Sequence, residues 1–255
     1  MTSGRAEDVE GEWGSAPSQV RATHEEVHVW RVSCGLSARE VRELRGLLSA
    51  DEEARADRFR FARDRDDFTV ARGVLRVILG RYTGREPGDI RFIYSPFGKP
   101  SLDEGAGGGA LRFNLSHSGG VALYAVTLGR EIGVDVERVR EDMDCVGVAD
   151  RFFSADEVGV LHSLAPEAQT RAFFDCWARK EAYIKAHGHG LSLPLDSFDV
   201  SLAPGEPAAL LRTREDAAEA SRWTLRELTV GEGFSAALAV EGGGWRLRCW
   251  RWEAG

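Results

Sequence analysis

The sequence predicts an α+β fold with two lobes of similar size. Two observations lead to this prediction. Helical and strand patterns come in blocks, several helices and then several strands, and do not alternate one by one. The same order of blocks, helices followed by a small sheet, occurs before and after residue 131, although no sequence repeat accompanies it.

Composition narrows the class of protein. With 255 residues, 43% of them hydrophobic, the chain can bury a substantial core. Its formal net charge of −8 gives no overall positive field that would attract nucleic acid or an anionic membrane. The four cysteines form no CxxC pair, which argues against a zinc site or a disulfide framework. Without a signal peptide or an apolar run of membrane-spanning length, we expect a cytoplasmic protein.

The first half contains the elements of an N-terminal lobe, which we assign to residues 26–131. Residues 1–25 are polar and aperiodic and are predicted to be a disordered tail. Ser37 and Glu40 have the spacing of a helix capping box. Helices are predicted over 37–48, 50–61 and 65–82, strands over 27–31, 90–94, 111–116 and 121–128, and a glycine-rich loop over 105–109.

The second half, residues 132–255, is assigned to a C-terminal lobe. Ser154 and Glu157 have the spacing of a second capping box, and glycines at 188 and 190 end a long helix. Helices are predicted over 148–153, 154–164 and 167–187, and strands over 132–137, 198–202, 223–228, 234–240 and 246–252.

Two acids lie on one predicted strand, in the segment GVDVE. Residues two apart in a strand face the same side, so Asp135 and Glu137 project together. Neighbouring carboxylates repel each other unless a cation lies between them. Mg²⁺ prefers such oxygen ligands, especially where a substrate's phosphates complete its shell. The alternative is a surface strand with two solvated acids.

The long helix carries a third acid in the segment WARKEAYIK. Trp177, Glu181 and Lys185 share one face at a spacing of four residues. Glu181 would be a further metal ligand, and Lys185, one turn later, would bind a phosphate. The alternative is an ordinary ion pair between Glu181 and Lys185 on the helix surface.

Polar residues end another predicted strand, in FNLSHSGG at 113–120. Such side chains and the backbone N–H groups before two glycines are suited to bind an anion. A Ser-His-Asp hydrolase is disfavoured, because Ser116 and His117 point to opposite faces of a strand and no GxSxG motif is present. No Walker loop or GxGxxG motif indicates a kinase or a dinucleotide enzyme.

Six motifs in order resemble the 4'-phosphopantetheinyl transferases, of the broad-specificity type that activates peptide and polyketide synthases. They are Phe97-Gly98-Lys99-Pro100, FNLSHSGG, GVDVE, Arg151-Phe152-Phe153-Ser154 with Glu157, WARKEAYIK, and GLSLPL at 190–195. The resemblance implies a pseudo-dimer of two α+β lobes with the active site, and coenzyme A, in the cleft between them.

The resemblance also implies roles for individual residues. Asp135, Glu137 and Glu181 would hold Mg²⁺, and Glu157 would be a candidate general base. Lys185 would contact the diphosphate and, with Glu157, have a catalytic role. The expected coenzyme A site comprises Arg55, Gly98, Lys99, Pro100, Ser116, His117, Glu181 and Lys185.

The sequence departs from the family at the adenosine end. The family often has basic residues that hold the 3'-phosphate, and Glu52 occupies one such position while Arg55 occupies the next. Another usual arginine is replaced by Asp67, followed by Phe68. Arg55 is therefore the predicted 3'-phosphate ligand. Glu157 also has a structural alternative, because it is the capping-box partner of Ser154.

The implied reaction transfers phosphopantetheine from coenzyme A to a serine of an apo acyl or peptidyl carrier protein. The expected partners are carrier domains of polyketide, peptide or fatty-acid synthases, and the expected state is a monomer that binds neither nucleic acid nor membrane. Two alternatives stay open: another Mg²⁺-dependent nucleotide-diphosphate enzyme, and a non-catalytic module that binds coenzyme A or a carrier.

Overall fold

Six α-helices and twelve strands occur in the part of the chain that the computed structural model describes, which is residues 12–17, 19–103, 109–188, 190 and 193–253. The first half contains β1 (Trp13–Ser15), β2 (Glu26–Ser33), α1 (Ala38–Arg45), α2 (Ala50–Ala56), α3 (Ala62–Thr83), β3 (Phe92–Tyr94), β4 (Pro100–Leu102), β5 (Leu111–Ser118) and β6 (Val121–Leu128). The second half contains β7 (Ile132–Arg138), α4 (Cys145–Phe152), α5 (Ala155–Ser163), α6 (Pro166–His187), β8 (Phe198–Val200), β9 (Leu210–Thr213), β10 (Trp223–Glu227), β11 (Phe234–Glu241) and β12 (Arg246–Arg251).

The two halves repeat one order of elements: a strand, three helices, a hairpin and two strands. In the first half the strands pair as β2-β6-β5, and in the second as β7-β11-β10, all antiparallel. The third helix of each half, α3 or α6, has 22 residues and ends at a left-handed glycine, Gly84 or Gly188. The α+β class is confirmed, and the repeat agrees with two similar lobes.

The last strand departs from the predicted division of the chain. β12 is parallel to β2, with Arg246 opposite Glu26 and Arg251 opposite Arg31, so residues 246–251 complete the first sheet rather than the second. β1 in turn pairs with β12, which corrects part of the predicted disordered tail. The three residues of β1 are too few to show an alternating pattern of apolar and polar residues. They form a strand because they pair with β12. Residues 1–11 and 18 lie outside the described residues.

Each long helix covers one sheet. The buried face of α3 packs on the first sheet through side chains such as Val74, Ile78 and Leu79. Burial of each such side chain contributes about 1.5–3 kcal/mol. On the second sheet, a Cβ atom at Gly133 would lie 2.0 Å from the Ala182 carbonyl oxygen of α6. Glycine at this position therefore lets α6 approach β7 closely.

Most predicted helices and strands are present, with shifted ends. The capping boxes at Ser37 and Ser154 are confirmed, and a third one starts α2. Helix α2 ends at Ala56, earlier than predicted, and the short strands β4 and β9 were not predicted. The predicted loop at 105–109 lies outside the described residues except for Gly109. None of the helices in the described ranges is both long and apolar enough to cross a membrane.

Candidate active site

The core of the site is a hydrogen-bonded group of three side chains where the two lobes meet. Asp135 on β7 is only 2% exposed. Its Oδ1 accepts hydrogen bonds from the Ser116 hydroxyl of β5, at 2.8 Å, and from the Lys185 ammonium of α6, at 2.6 Å. Lys185 also donates to the Ser116 hydroxyl, at 3.0 Å. Elements of both lobes thus meet at one carboxylate.

The other two acids lie in the electric field of Asp135. Burial, and then the negative charge of Asp135, raise the pKa of Glu137 and also that of Glu181. The Ser118 hydroxyl partly opposes this effect at Glu137, because it donates to Oε2 at 3.0 Å. Asp135 therefore repels both Glu137 and Glu181, in a partly desolvated setting where a cation would relieve the repulsion. Their shared role as metal ligands stays a prediction.

The donor chemistry of these acids fits a hard divalent cation. Asp135 Oδ2 is buried and has no hydrogen-bond partner, so one strong acceptor remains available. However, within the described ranges no three His, Cys, Asp or Glu side chains have an arrangement that would itself hold a metal ion. In this conformation the positive charge beside Asp135 is the Lys185 ammonium.

Two of the residues predicted to contact coenzyme A, His117 and Arg55, lie on the surface. His117 is exposed and follows Ser116 on β5, so its side chain leaves the opposite face of the strand. Arg55 is exposed on α2, and its guanidinium carbon lies 5.3 Å from the centre of the Phe68 ring. Their contacts with coenzyme A stay predictions.

Lys99 connects three segments of the fold, a role that its sequence motif did not predict. Its ammonium donates to the backbone carbonyl oxygens of Ala186, at 3.0 Å, and Ile132, at 3.3 Å, and to the Glu131 carboxylate, at 3.2 Å. Burial lowers the pKa of Lys99. Lys99 thereby ties the turn after β3 to the start of β7 and the end of α6. Lys99 and Pro100 also line a cavity of about 350 Å³, which Glu131, Arg112 and His187 share.

Glu157, the candidate base, is buried and fully engaged inside the second lobe. Its Oε2 accepts from the Ser154 backbone N–H, at 3.0 Å, and lies 2.8 Å from the Lys180 ammonium. Its Oε1 accepts from the Val200 N–H, at 2.8 Å. The geometry favours the capping alternative over a base role, because no oxygen is open to the serine of a second protein.

Two charged residues of structural importance, Lys180 and Glu52, are not identified as such by the sequence motifs. Lys180 is fully buried, with Glu157 as its counter-charge, although it lies next to Glu181 in the same motif. Glu52, which stands where the family often has a basic residue, accepts from Arg76 Nε at 2.7 Å and lies 3.3 Å from Arg72 Nε. The spacing of four residues between these arginines on α3 was the available sign of a shared partner.

Comparison with known proteins identifies the class of this site. The model of the 4'-phosphopantetheinyl transferase superfamily matches residues 131–239, and that of the 4'-phosphopantetheinyl transferase N-terminal domain matches residues 37–128. The chain is 40% identical over 240 residues to the 4'-phosphopantetheinyl transferase HetI of a Nostoc species, which covers 94% of this chain and 98% of that protein. It is 32% identical over 167 residues to the 4'-phosphopantetheinyl transferase Sfp of Bacillus subtilis, covering 66% of this chain and 72% of that protein.

Among solved structures, holo-[acyl-carrier-protein] synthase of Thermotoga maritima matches 44% of this chain and 62% of its own, with a TM-score of 0.35 and 21% identity. The sequence relatives define the family. The chain belongs to the 4'-phosphopantetheinyl transferases and is an enzyme. The activity of this family is transfer of phosphopantetheine to carrier proteins.

Proposed function

We propose that this enzyme transfers the 4'-phosphopantetheine group of coenzyme A to a serine of an apo acyl or peptidyl carrier protein, in a Mg²⁺-dependent reaction that releases 3',5'-ADP. The observation that carries the proposal is the group of Ser116, Asp135 and Lys185 beside Glu137 and Glu181 where the lobes meet. Broad specificity for carriers of polyketide, peptide and fatty-acid synthases, a cytoplasmic location and a monomeric state are further parts of the proposal.

Some residues of the site would bind the metal ion and others the substrate. Asp135, Glu137 and Glu181 would hold Mg²⁺, which when bound supplies positive charge for the diphosphate leaving group. The Lys185 ammonium binds the diphosphate oxygens and stabilises the same negative charge. Because Lys185 contacts Ser116 and Asp135 at once, it links the phosphate position to the carboxylates.

The reaction itself is a phosphoryl transfer. The carrier serine Oγ bonds to the β-phosphorus of coenzyme A, the bond from that phosphorus to the bridging oxygen breaks, and 3',5'-ADP leaves with the bonding electrons. The serine proton passes to a base. The nucleophile belongs to the partner, so the enzyme needs no activated serine of its own. At the nucleotide, Arg55 and His117 bind phosphate, and Gly98, Lys99 and Pro100 form one wall.

The test is an intact-mass assay of an apo carrier protein incubated with enzyme, coenzyme A and Mg²⁺. The proposal expects the carrier to gain the mass of one phosphopantetheine group, and expects no gain with EDTA or with a carrier whose acceptor serine is alanine. Cleavage of coenzyme A without a carrier would indicate a diphosphate hydrolase. Binding of coenzyme A without turnover would indicate a non-catalytic module.

A further inference from the structure

Strands β2 and β7 occupy equivalent positions in the two halves, but each is joined to its neighbouring strand in a different way. In the repeat of elements β2 corresponds to β7, and each has a parallel neighbour on its outer edge. The neighbour of β2 is β12, which pairs with it through the backbone from residue 246 to residue 251. The neighbour of β7 is β5, but in the described part of the chain β5 and β7 belong to separate sheets.

Side chains of β5 take the place of a backbone ladder to β7. Asn114 Oδ1 accepts from the Val134 backbone N–H at 2.9 Å, one residue before Asp135. The Ser118 hydroxyl donates to Glu137 Oε2 at 3.0 Å and accepts from the Arg138 backbone N–H at 3.1 Å. Ser116, which donates to Asp135, lies between them on β5. Asn114, Ser116 and Ser118, at a spacing of two residues, thus each make a side-chain hydrogen bond to β7.

This arrangement has a physical reason. Backbone N–H groups alternate between the two edges of a strand, so those of Val134 and Arg138 both face β5. The Val134 N–H is buried, and a buried N–H without a partner costs about 1–3 kcal/mol. A side-chain oxygen can reach such an N–H across a wider gap than a paired backbone allows. Side chains, and not a backbone ladder, therefore join the two strands along the stretch that carries Asp135 and Glu137.

We infer that Asn114 and Ser118 are positioning residues for the two carboxylates of β7. Asn114 fixes the peptide that precedes Asp135, and Ser118 fixes both the Glu137 carboxylate and the peptide that follows it. Without Ser118, the Glu137 side chain would gain rotational freedom and bind a cation less tightly. The inference rests on the proposed function, in which these carboxylates hold Mg²⁺.

The experiment compares serine variants by calorimetric titration of Mg²⁺ in the presence of coenzyme A, without a carrier. Ser118→Ala removes both contacts, while Ser118→Thr keeps the hydroxyl. Ser201→Ala is the matched control, because Ser201 also donates and accepts, with Pro207 and Ala209 as partners. We expect Ser118→Ala to weaken Mg²⁺ binding about tenfold, the low end of the usual effect of an outer-shell partner. Ser118→Thr should restore it, and Ser201→Ala should leave it unchanged.

Thermal unfolding without ligand separates a positioning role from general destabilisation. Ser118→Ala should melt no lower than Ser201→Ala although only Ser118→Ala binds Mg²⁺ poorly. Equal Mg²⁺ affinity in Ser118→Ala and wild type would overturn the inference, as would wild-type protein that takes up no Mg²⁺. The proposed function fails separately, if wild-type enzyme binds coenzyme A and Mg²⁺ but does not modify any apo carrier.

Discussion

Glu157 and Glu181 are both buried to some degree, yet the charges that surround them differ. Glu157 is enclosed by two backbone N–H groups and the Lys180 ammonium, which stabilise its charge. Glu181 has a raised pKa, from burial and from the charge of Asp135. One carboxylate is therefore satisfied by the fold, while the other is suited to a ligand that brings positive charge.

Replacement of Glu181 by glutamine tests the metal role. A neutral amide is a poor ligand for a hard cation, so Glu181→Gln should lower transfer by more than about tenfold, or 1.4 kcal/mol. The measurement is the rate of carrier modification at saturating coenzyme A. The thermal midpoint should not fall, because the substitution removes a repulsive charge. An enzyme that keeps more than about a tenth of its activity would contradict the assignment.

Replacement of Glu157 by glutamine should harm stability more than catalysis. Glu157→Gln leaves the Lys180 ammonium buried without its counter-charge, which typically costs about 3–5 kcal/mol. A general base, in contrast, contributes about 10²–10⁴-fold in rate. Chemical denaturation and turnover of the folded protein distinguish the two roles. The double variant Glu157→Gln with Lys180→Met should regain stability; a stable single variant with a large loss of rate would support the base role instead.

His28 gives the protein a pH-dependent stability. It is 1% exposed, with Tyr82 Oη 2.8 Å from Nδ1 and Glu26 Oε2 3.3 Å from Nε2. The other oxygen of Glu26, Oε1, accepts a hydrogen bond from Arg248 Nε. Burial lowers the pKa of His28 below its ordinary 6.5, although Glu26 opposes the shift. Below pH 6.5 the unfolded chain binds the proton more readily, so the free energy of unfolding should fall as the pH falls through this range.

The measurement for His28 is the free energy of unfolding by urea from pH 5 to 8 in wild type and in His28→Gln. The variant should be less stable at pH 8 and should depend less on pH below 6.5, because it lacks the buried imidazole. If the free energy of unfolding changes with pH in the same way in both proteins, groups other than His28 cause the loss of stability at low pH.

At this scale the sequence could predict local relations but not distant partners. The period of two placed Asp135 and Glu137 on one face, and a spacing of three identified Glu157 as a capping residue. The contact of Glu157 with Lys180 depends on how α5 packs against α6. The hydrogen bond that Asn114 accepts from the Val134 N–H depends on how β5 packs beside β7. Neither contact produces a periodic pattern in the sequence.

At the scale of elements, the site depends on how closely α6 approaches β7. Gly133, Asp135 and Glu137 share the face of β7 that meets the helix, and Gly133 provides the close contact. The sequence predicted both elements within a few residues, since each has a long, regular pattern. It did not predict β1 or β4, whose three residues each show no alternating pattern of their own.

Gly133→Ala should therefore damage the site from a distance. The new methyl group would lie 2.0 Å from the Ala182 carbonyl oxygen, so α6 must move and carry Glu181 and Lys185 away from Asp135. We expect a loss of at least 1–3 kcal/mol in stability, typical of overpacking, and a large loss of transfer. Gly159→Ala on α5 is the control, because its Cβ would meet no atom within 4 Å and should stabilise the helix slightly. Equal stability and activity in the two variants would refute this account.

At the scale of the whole molecule, the lobes are not separable at residue 131. Strand β12 belongs to the end of the chain but lies between β1 and β2 in the first sheet. Its Leu247 and Cys249 are buried in the cluster that also contains Val27 and Val29. The sequence predicted this strand but not its sheet, because its pattern fits either sheet equally well.

A chain that ends at residue 245 should fail to fold. Without β12, the first sheet loses the partner of β2 along six residues and the attachment of β1. We expect no cooperative thermal transition and little soluble protein, measured by circular dichroism and gel filtration. A chain that ends at Trp252 keeps β12 and serves as the control. A 1–245 chain that melts at the wild-type midpoint would show that the strand is dispensable.

The position of β12 in the first sheet also affects the order in which the protein can fold during synthesis. A ribosome releases β2 early and β12 much later, after β7, α6 and β11 have emerged. Domains usually fold in the order of their synthesis, but here the amino-terminal lobe has to wait for the carboxyl-terminal one. Until β12 emerges, the nascent chain presents an unpaired β2 edge. Such an exposed edge can pair with another chain and start aggregation. Messages that terminate early should therefore yield chains for proteolysis, and not partly active enzyme.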